Sequence, residues 1–320
     1  MNKFLLMIMI ILLSFSSSCK KENNEELSNN AELKVGYLNM VSSLTHFVAK
    51  ANGYYKEQNL TVTGLPINTS NMIAQELATG RIDVGIELAI IPLLKTLEQS
   101  PNTITIYSSS NISVENGFDA IVVAENSNVT SLKELTGKIV GGFPGTTAKN
   151  SFLQVFRENY PNIKEPNFHA IDPNLHIQAL ERGEIDALFA YEPVLSIGIV
   201  KRKFKKIFPS IYGTQFENNP IGVGAINTDW LKSNPELAKR FFNSIDKAVD
   251  FIEKNPIKAK EILAKETNLE LSIAQNMNIM PLSKSNKINL NNLDKYFIVL
   301  KEIGEINEIP VAKDICLHQD

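Results

Sequence analysis

Residues 75–83 read QELATGRID, and residues 178–186 read QALERGEID. Each stretch carries apolar residues at helical spacing, then a glycine, then Ile-Asp before a short apolar run. A glycine that ends a helix, followed by an apolar run, is typical of an α/β unit. Upstream, Val35-Gly36 and Val140-Gly141 each end another apolar run and lead into a helix at nearly the same offset. The sequence therefore predicts two α/β lobes of similar plan, and two lobes enclose a cleft.

Outside this repeat, short apolar strands alternate with amphipathic helices, which predicts an α/β fold with sheets covered on both faces. Strands are expected at 33–38, 60–65, 84–86, 103–108, 119–124, 138–141, 167–170, 187–189, 204–208 and 223–227. Helices are expected between them at 44–51, 71–79, 90–98, 147–159, 175–182 and 193–201. Further helices follow at 235–255, 256–265, 271–280 and 293–303. The chain is expected to cross between lobes at 119–124 and 219–225, with Gly222 and Gly224 as hinge positions.

The first residues indicate where the protein works. Lys3 precedes an apolar stretch, residues 4–13, that is shorter than the roughly 20 residues of a membrane span. Small residues follow it, so residues 1–18 are predicted to be a secretory signal peptide. Cys19 then resembles the lipidated cysteine of bacterial lipoproteins, although Ser16 stands where those proteins usually carry leucine. Ordinary signal cleavage, with Cys19 there by chance, is the alternative.

The polar residues 19–32 fit a lipidated, flexible tether to a membrane surface. If Cys19 carries lipid, Cys316 is left alone and no internal disulfide forms. The tether predicts an extracytoplasmic protein that is anchored to a bacterial membrane, on the periplasmic or the outer face.

Composition disfavours several classes of function. The 320 residues are 43% hydrophobic, and 32 basic against 35 acidic residues give a formal net charge of -3. This balance disfavours nucleic acid as a partner. The basic run at 201–206 is expected to be a solvated helix end, with a docking patch for a membrane partner as the alternative. The four histidines are scattered and no Gly-x-Ser-x-Gly pattern occurs, so neither an enzyme nor a cofactor or metal site is expected.

Five stretches carry a family resemblance. Residues 44–62 read LTHFVAKANGYYKEQNLTV, residues 131–142 read SLKELTGKIVGG, and Tyr191-Glu192-Pro193 and both Gly-x-Ile-Asp copies accompany them. Together they resemble the type II periplasmic solute-binding proteins for sulfonates, nitrate, taurine and thiamine-precursor pyrimidines, over about residues 33–264.

The resemblance implies the two-lobed periplasmic-binding-protein type II fold, in which each lobe is a mixed sheet flanked by helices, with C-terminal helices. Lobe 1 is expected at 33–120 plus 222–320 and lobe 2 at 121–221. The resemblance further implies a monomer that closes on a small-molecule solute and hands it to an ABC transporter permease.

Candidate ligand-binding residues follow the strands, because ligands bind beyond the carboxyl ends of strands in open α/β sheets. The loop at 141–147, GGFPGTT, joins a strand to a helix and offers backbone N–H groups and two hydroxyls to an anionic or oxygen-rich group. A plain tight turn with a threonine N-cap is the alternative. The complete set of candidates is Asn39, Ser42, His46, Glu87, Ser108, Ser109, Gly145, Thr146, Thr147, Tyr191 and Glu192.

Several candidates have a structural alternative. His46 could instead pack within its helix environment, and Ser42 could instead cap a helix. Tyr191 could stack on a planar solute, or it could be a half-buried packing residue. Glu192 could instead cap the helix that begins at Pro193. No arginine stands at these strand ends, whereas carboxylates do, which favours a solute with a donor such as an amine or aminopyrimidine.

These features predict a lipid-anchored solute receptor for an ABC importer, with a sulfonate-like or aminopyrimidine-like solute. The same fold also carries enzymes of the thiamine-pyrimidine and menaquinone pathways. Those enzymes work in the cytoplasm, and the pyrimidine-forming ones use a cysteine-rich motif that this sequence lacks. A tethered solute sensor is a third hypothesis and differs only in the partner that docks on the lobes.

Overall fold

The computed structural model describes residues 32–144, 146–285 and 287–317. The predicted signal peptide, the lipidation candidate Cys19 and the candidate Gly145 lie outside the described residues, as does all of the predicted tether except its last residue.

The described chain forms two five-stranded mixed sheets flanked by helices. The strands are β1 Glu32–Tyr37, β2 Thr61–Pro66, β3 Val84–Ala89, β4 Ile104–Asn111, β5 Asp119–Val123, β6 Ile139–Gly142, β7 Asn167–Ala170, β8 Ala187–Tyr191, β9 Lys205–Phe208 and β10 Pro220–Asn227. The helices are α1 Leu44–Ala51, α2 Tyr54–Glu57, α3 Ser70–Ala78, α4 Ile90–Gln99, α5 Thr146–Asn159, α6 His176–Glu181, α7 Val194–Arg202, α8 Ile211–Gln215, α9 Thr228–Ser233, α10 Pro235–Lys254, α11 Pro256–Thr267, α12 Leu271–Asn276, α13 Leu290–Glu302 and α14 Ala312–Ile315. The predicted α/β class is confirmed, and every predicted strand is present within a few residues of its expected bounds.

The two sheets share one strand plan. The first has the order β2-β1-β3-β10-β4 and the second has the order β7-β6-β8-β5-β9. The first three strands of each sheet are parallel to one another, and the fourth runs antiparallel to both of its neighbours. The sequence repeat therefore precedes the central strand of each sheet, β3 in one and β8 in the other.

The repeated residues make matching contacts in the two sheets. Gly80 and Gly183 adopt left-handed backbones, with φ of 69° and 70°, directly after α3 and α6. Glycine adopts this conformation without the steric cost that a Cβ brings. Asp83 Oδ2 then accepts a hydrogen bond from Lys34 N, and Asp186 Oδ2 accepts one from Ile139 N, both at 2.8 Å.

The isoleucine of each copy packs over a glycine of the neighbouring strand. A Cβ on Gly36 would lie 2.5 Å from Ile82 Cδ1, and one on Gly141 would lie 2.6 Å from Ile185 Cδ1. Both isoleucines are buried. Since a Cβ at either position would collide with the isoleucine, Val-Gly and Ile-Asp act as one packing unit in each lobe.

The prediction of the crossings between the lobes was wrong by a few residues. β5 begins at Asp119 and pairs only within the second sheet, while β10 begins at Pro220 and pairs only within the first. The chain therefore crosses at 112–118 and returns at 216–219. Gly222 and Gly224 lie in the strand β10, where a Cβ on Gly224 would be 2.3 Å from Ser108 Oγ. The division of the chain into the two expected residue ranges stays a prediction.

The C-terminal helices cover the first sheet. The 20-residue α10 buries an apolar stripe, and α10 and α11 pack against α1. The stripe has helical spacing, which turns one face of α10 to the core; it consists of Ala238, Phe241, Ile245, Ala248 and Ile252. Among the described residues, none of the helices combines the length and the apolar character that crossing a membrane requires.

Candidate functional site

Glu87 is the acidic residue at the carboxyl end of the central strand β3. Its side chain is buried, with 5% of the residue exposed, and its backbone has φ of 38°. The left-handed region is energetically unfavourable for a non-glycine residue, and residues strained in this way cluster at functional sites. Ser108 Oγ donates a hydrogen bond of 3.1 Å to Glu87 Oε1. Glu87 Oε2 is buried and has no hydrogen-bond partner among the described residues.

The environment of Glu87 favours its protonated form. Burial raises the pKa of its carboxyl to about 7, although the nearby Ser110 and Ser108 hydroxyls lower the value in part. A Cβ on Gly222 would lie 3.2 Å from Glu87 Oε2 and 2.5 Å from Ser110 Oγ. A side chain at this position would therefore crowd both oxygens. A donor that reached Oε2 would restore the hydrogen bond that burial has removed.

Two hydroxyls share this property with Glu87. Ser42 Oγ, before α1, and Ser110 Oγ, near the end of β4, are buried without a hydrogen-bond partner among the described residues. Ser42 and Glu87 line a cavity of about 150 Å³, and Ser42 and Ser110 line a narrower extension of it. Buried polar atoms in native proteins are nearly always paired. Three unpaired polar atoms around one cavity therefore indicate a binding site for a polar molecule.

A second cavity, of about 410 Å³, adjoins the first and shares Ala89, Phe118 and Ile221 with it. Its walls come from both sheets and from their helices. Because residues of both sheets line it, this cavity is the cleft that the repeated units predict. Its remaining walls include Lys95, Thr147, Tyr191, Tyr212 and Phe216.

The aromatic wall of the larger cavity is internally fixed. Tyr191 stacks on Phe143 with ring centroids 4.3 Å apart, and its hydroxyl lies 2.7 Å from that of Tyr212. Burial raises the pKa of both phenols, so both stay protonated near neutral pH. Phe118 contacts Tyr191 edge-on and stacks on Tyr212. Such a wall offers apolar area to a flat solute.

Asp119 holds Tyr212 in this wall. Its carboxylate accepts hydrogen bonds from Ser210 Oγ and Ile211 N at 2.6 Å, and from Tyr212 N at 3.4 Å. Burial raises the pKa of Asp119 to about 6, although these hydrogen bonds oppose the shift. The carboxylate thus caps the short helix α8 from within the second sheet.

Of the candidates predicted from sequence, Ser42, Glu87, Thr147, Tyr191 and Glu192 line the two cavities. Ser108 belongs with them through its hydrogen bond to Glu87. Glu192 caps α7, because its two oxygens accept hydrogen bonds from the backbone N and the hydroxyl of Ser196. The capping alternative for Glu192 is therefore confirmed, although the residue also borders the smaller cavity.

Other candidates lie elsewhere. Asn39 is exposed outside both cavities. His46 is in the core, where its Nδ1 lies 3.0 Å from the Tyr55 hydroxyl and burial lowers its pKa to about 4. Ser109 points to the opposite face of β4 and contacts Ser283. For Thr146 the structure gives only its place as the first residue of α5.

Sequence reasoning missed Ser110, Phe118, Tyr212 and Lys95. The signal for Ser110 was available, because alternate residues of a strand share a face and Ser108 was already a candidate. The other three stand outside the strand ends that were searched. Within the described residues, no group of three or more His, Cys, Asp or Glu is placed to hold a metal ion.

Comparison with known proteins shows the family and the fold. The family model described as NMT1/THI5 like matches residues 42–259, which is more than half of the chain. The chain belongs to the NMT1/THI5-like family. A curated relative from Saccharomyces cerevisiae is named 4-amino-5-hydroxymethyl-2-methylpyrimidine phosphate synthase THI13. The two are 21% identical over an alignment of 225 residues, which covers 67% of this chain and only 64% of the relative's length.

Solved structures share the fold. The periplasmic aliphatic sulphonate binding protein SsuA from Escherichia coli superposes with a TM-score of 0.74 at 16% identity, over 90% of this chain and 92% of SsuA. The periplasmic nitrate-binding protein NrtA from Synechocystis PCC 6803 gives a TM-score of 0.66 at 13% identity, over 89% and 86%. The expected periplasmic-binding-protein fold is thereby confirmed.

Proposed function

We propose that this protein is an extracytoplasmic solute-binding protein that encloses a small organic solute between its two lobes and delivers it to an ABC importer. The observation that carries the proposal is the buried carboxyl of Glu87, which lines a cavity and whose Oε2 has no hydrogen-bond partner among the described residues. The names of the fold relatives, which are sulphonate- and nitrate-binding proteins, support a binding role.

The solute carries hydrogen-bond donors, such as an amine or an aminopyrimidine. Glu87 Oε2 accepts one donor, and the Ser42 and Ser110 hydroxyls are available to further polar atoms. A hydrogen bond contributes about 0.5–1.5 kcal/mol, or about 1.5–3 kcal/mol when Glu87 is ionised, whereas a micromolar complex requires about 8 kcal/mol. Burial of the rest of the solute against the aromatic wall supplies the difference.

Delivery to a permease and anchoring through a lipid on Cys19 belong to the same proposal. The export signal and the short polar tether in the sequence support them. In this proposal, the solute is bound outside the cytoplasm between lobe 1, which contains the first sheet, and lobe 2, which contains the second. The predicted ranges, 33–120 plus 222–320 and 121–221, then shift by a few residues at each crossing.

An enzyme on the same fold is the second candidate, because the curated relatives are named as pyrimidine phosphate synthases. The sequence lacks the cysteine-rich motif expected of such enzymes. A tethered sensor would use the same cavity and differ only in its docking partner. Turnover of a bound compound with release of product would favour the enzyme.

A thermal-shift screen tests the proposal, with taurine, alkanesulfonates, nitrate, aminopyrimidines and riboflavin as the panel. A compound at about one hundred times its Kd stabilises the folded protein by about 2.7 kcal/mol. We expect an amine- or aminopyrimidine-bearing compound to raise the Tm. Glu87→Gln should then weaken its binding at least about tenfold. Glu236→Gln, at an exposed position on α10, is the matched control and should bind normally. Equal affinities of these two variants would contradict the site.

A further inference from the structure

Glu305 follows α13 and contacts two residues that line the larger cavity. It is 8% exposed, and one of its oxygens is shared between two partners. Lys95 Nζ donates to Glu305 Oε2 at 3.2 Å, and Thr147 Oγ1 donates to the same oxygen at 3.4 Å. A buried carboxylate thus lies where a lysine and a threonine converge.

The two partners belong to different lobes. Lys95 lies on α4, beside the first sheet, and Thr147 lies in the first turn of the 14-residue α5, beside the second. Both residues line the larger cavity. The start of a helix carries a partial positive charge, so the lysine and the helix end attract the same anion. Glu305 supplies that anion from within the chain.

We propose that Glu305 is a specificity-determining residue that excludes anionic solutes from the cavity. Its carboxylate contacts Thr147 at the start of α5, where the sequence analysis expected an anionic or oxygen-rich group of the solute, and it pairs there with Lys95. This inference deepens the proposed function and rests on it, because it states which class of solute the cleft rejects.

Charge gives the physical reason. An anionic solute at this position must displace Glu305 from Lys95 or share the lysine with it, and two like charges about 4 Å apart repel each other strongly in a partly buried site. A neutral or cationic solute meets no such repulsion. In the adjoining smaller cavity, Glu87 likewise selects for a donor.

Titration with ethanesulfonate by calorimetry tests the inference. The wild type should bind ethanesulfonate weakly or not at all. Glu305→Gln keeps the shape of the side chain and removes its charge, so it should bind ethanesulfonate at least tenfold more tightly. The double variant Lys95→Gln/Glu305→Gln should lose this gain, because the cation that holds the sulfonate is gone. Glu302→Gln, at an exposed position three residues earlier, makes the same change in net charge and should behave as the wild type.

Two results overturn the inference: Glu305→Gln binds ethanesulfonate no more tightly than the wild type, or Glu302→Gln gains as much. Glu305→Asp keeps the charge and should reject ethanesulfonate; if it also gained binding, shape rather than charge would set the selectivity. Failure of the proposed function is a separate result, in which no compound of the panel shifts the Tm of the wild type.

Discussion

Glu87 combines a left-handed backbone with a carboxyl that is almost completely buried. Its place at the end of the third strand made it a candidate from sequence alone. The sequence could not predict that Glu87 Oε2 lacks a hydrogen-bond partner. The surroundings of this oxygen include Gly222 and Ser110, which lie on other strands more than 20 residues away in sequence. The environment of this unpaired oxygen therefore results from the pairing of distant strands and not from a local sequence motif.

The pH dependence of stability should report this burial. The pKa of Glu87 is about 7 in the folded protein against an ordinary value of 4.5, so the folded state binds its proton more tightly than the unfolded state. The stability that results is fully present below about pH 4.5 and is lost as the pH rises through 7. In urea unfolding without solute, the free energy of unfolding of the wild type should fall by on the order of 3 kcal/mol, relative to that of Glu87→Gln, as the pH rises from about 4.5 to 8. A constant difference across this range would contradict the raised pKa.

Two neighbouring serines give a matched pair of variants. Ser110 Oγ lies unpaired beside Glu87, whereas Ser109 points to the other face of β4. Ser110→Ala should weaken solute binding by about 0.5–1.5 kcal/mol, the usual worth of one hydrogen bond. Ser109→Ala should leave the Kd unchanged. Calorimetry with the compound found in the screen measures both, and a larger effect at Ser109 would place the solute on the wrong face of the strand.

At the scale of elements, the repeat predicted the central part of each sheet because a glycine next to each helix end marks the stop locally, and the same residues then make the same contacts in both lobes. Gly80 and Gly183 end their helices at φ near 70°, and both aspartates bond the neighbouring strand in the same way. The short helices α2, α8, α9 and α14 were not predicted. Each has four to six residues, which is too short for helical periodicity to appear in the sequence.

The crossings between the sheets were misplaced for a related reason. β5 and β10 read as apolar segments near the expected boundaries, and composition does not show with which sheet a strand pairs. The glycines of β10 suggested a hinge, whereas Gly224 faces Tyr107 and Ser108 at distances that leave no room for a Cβ. Close packing between strands explains this glycine.

The cap of α8 by Asp119 should stabilise the folded protein more than an exposed cap does. Asp119→Ala removes a buried acceptor and leaves Ser210 Oγ and Ile211 N without their partner. We expect a loss of about 2–4 kcal/mol in the free energy of unfolding. Asp172→Ala removes an exposed cap that accepts from Asn174 N, and should cost about 1 kcal/mol. Urea denaturation compares the two, and equal losses would contradict the role given to burial.

At the scale of the whole molecule, the candidate site exists only where the two sheets meet. The first contributes Glu87, the second contributes Tyr191, and Phe118 comes from the crossing between them. The sequence predicted the strand ends, but not the helix ends and crossings that face them. Glu87 was therefore predicted, whereas most of the aromatic wall was not.

A crystal structure of the protein with the compound that most raises its Tm tests the central claim most directly. The account predicts that a donor atom of the compound lies about 3 Å from Glu87 Oε2, while the rest of the compound contacts Phe118 or Tyr212. A compound held elsewhere, for example in the shallow groove beside Leu94 and Pro310, with Glu87 Oε2 still unpaired, would contradict it.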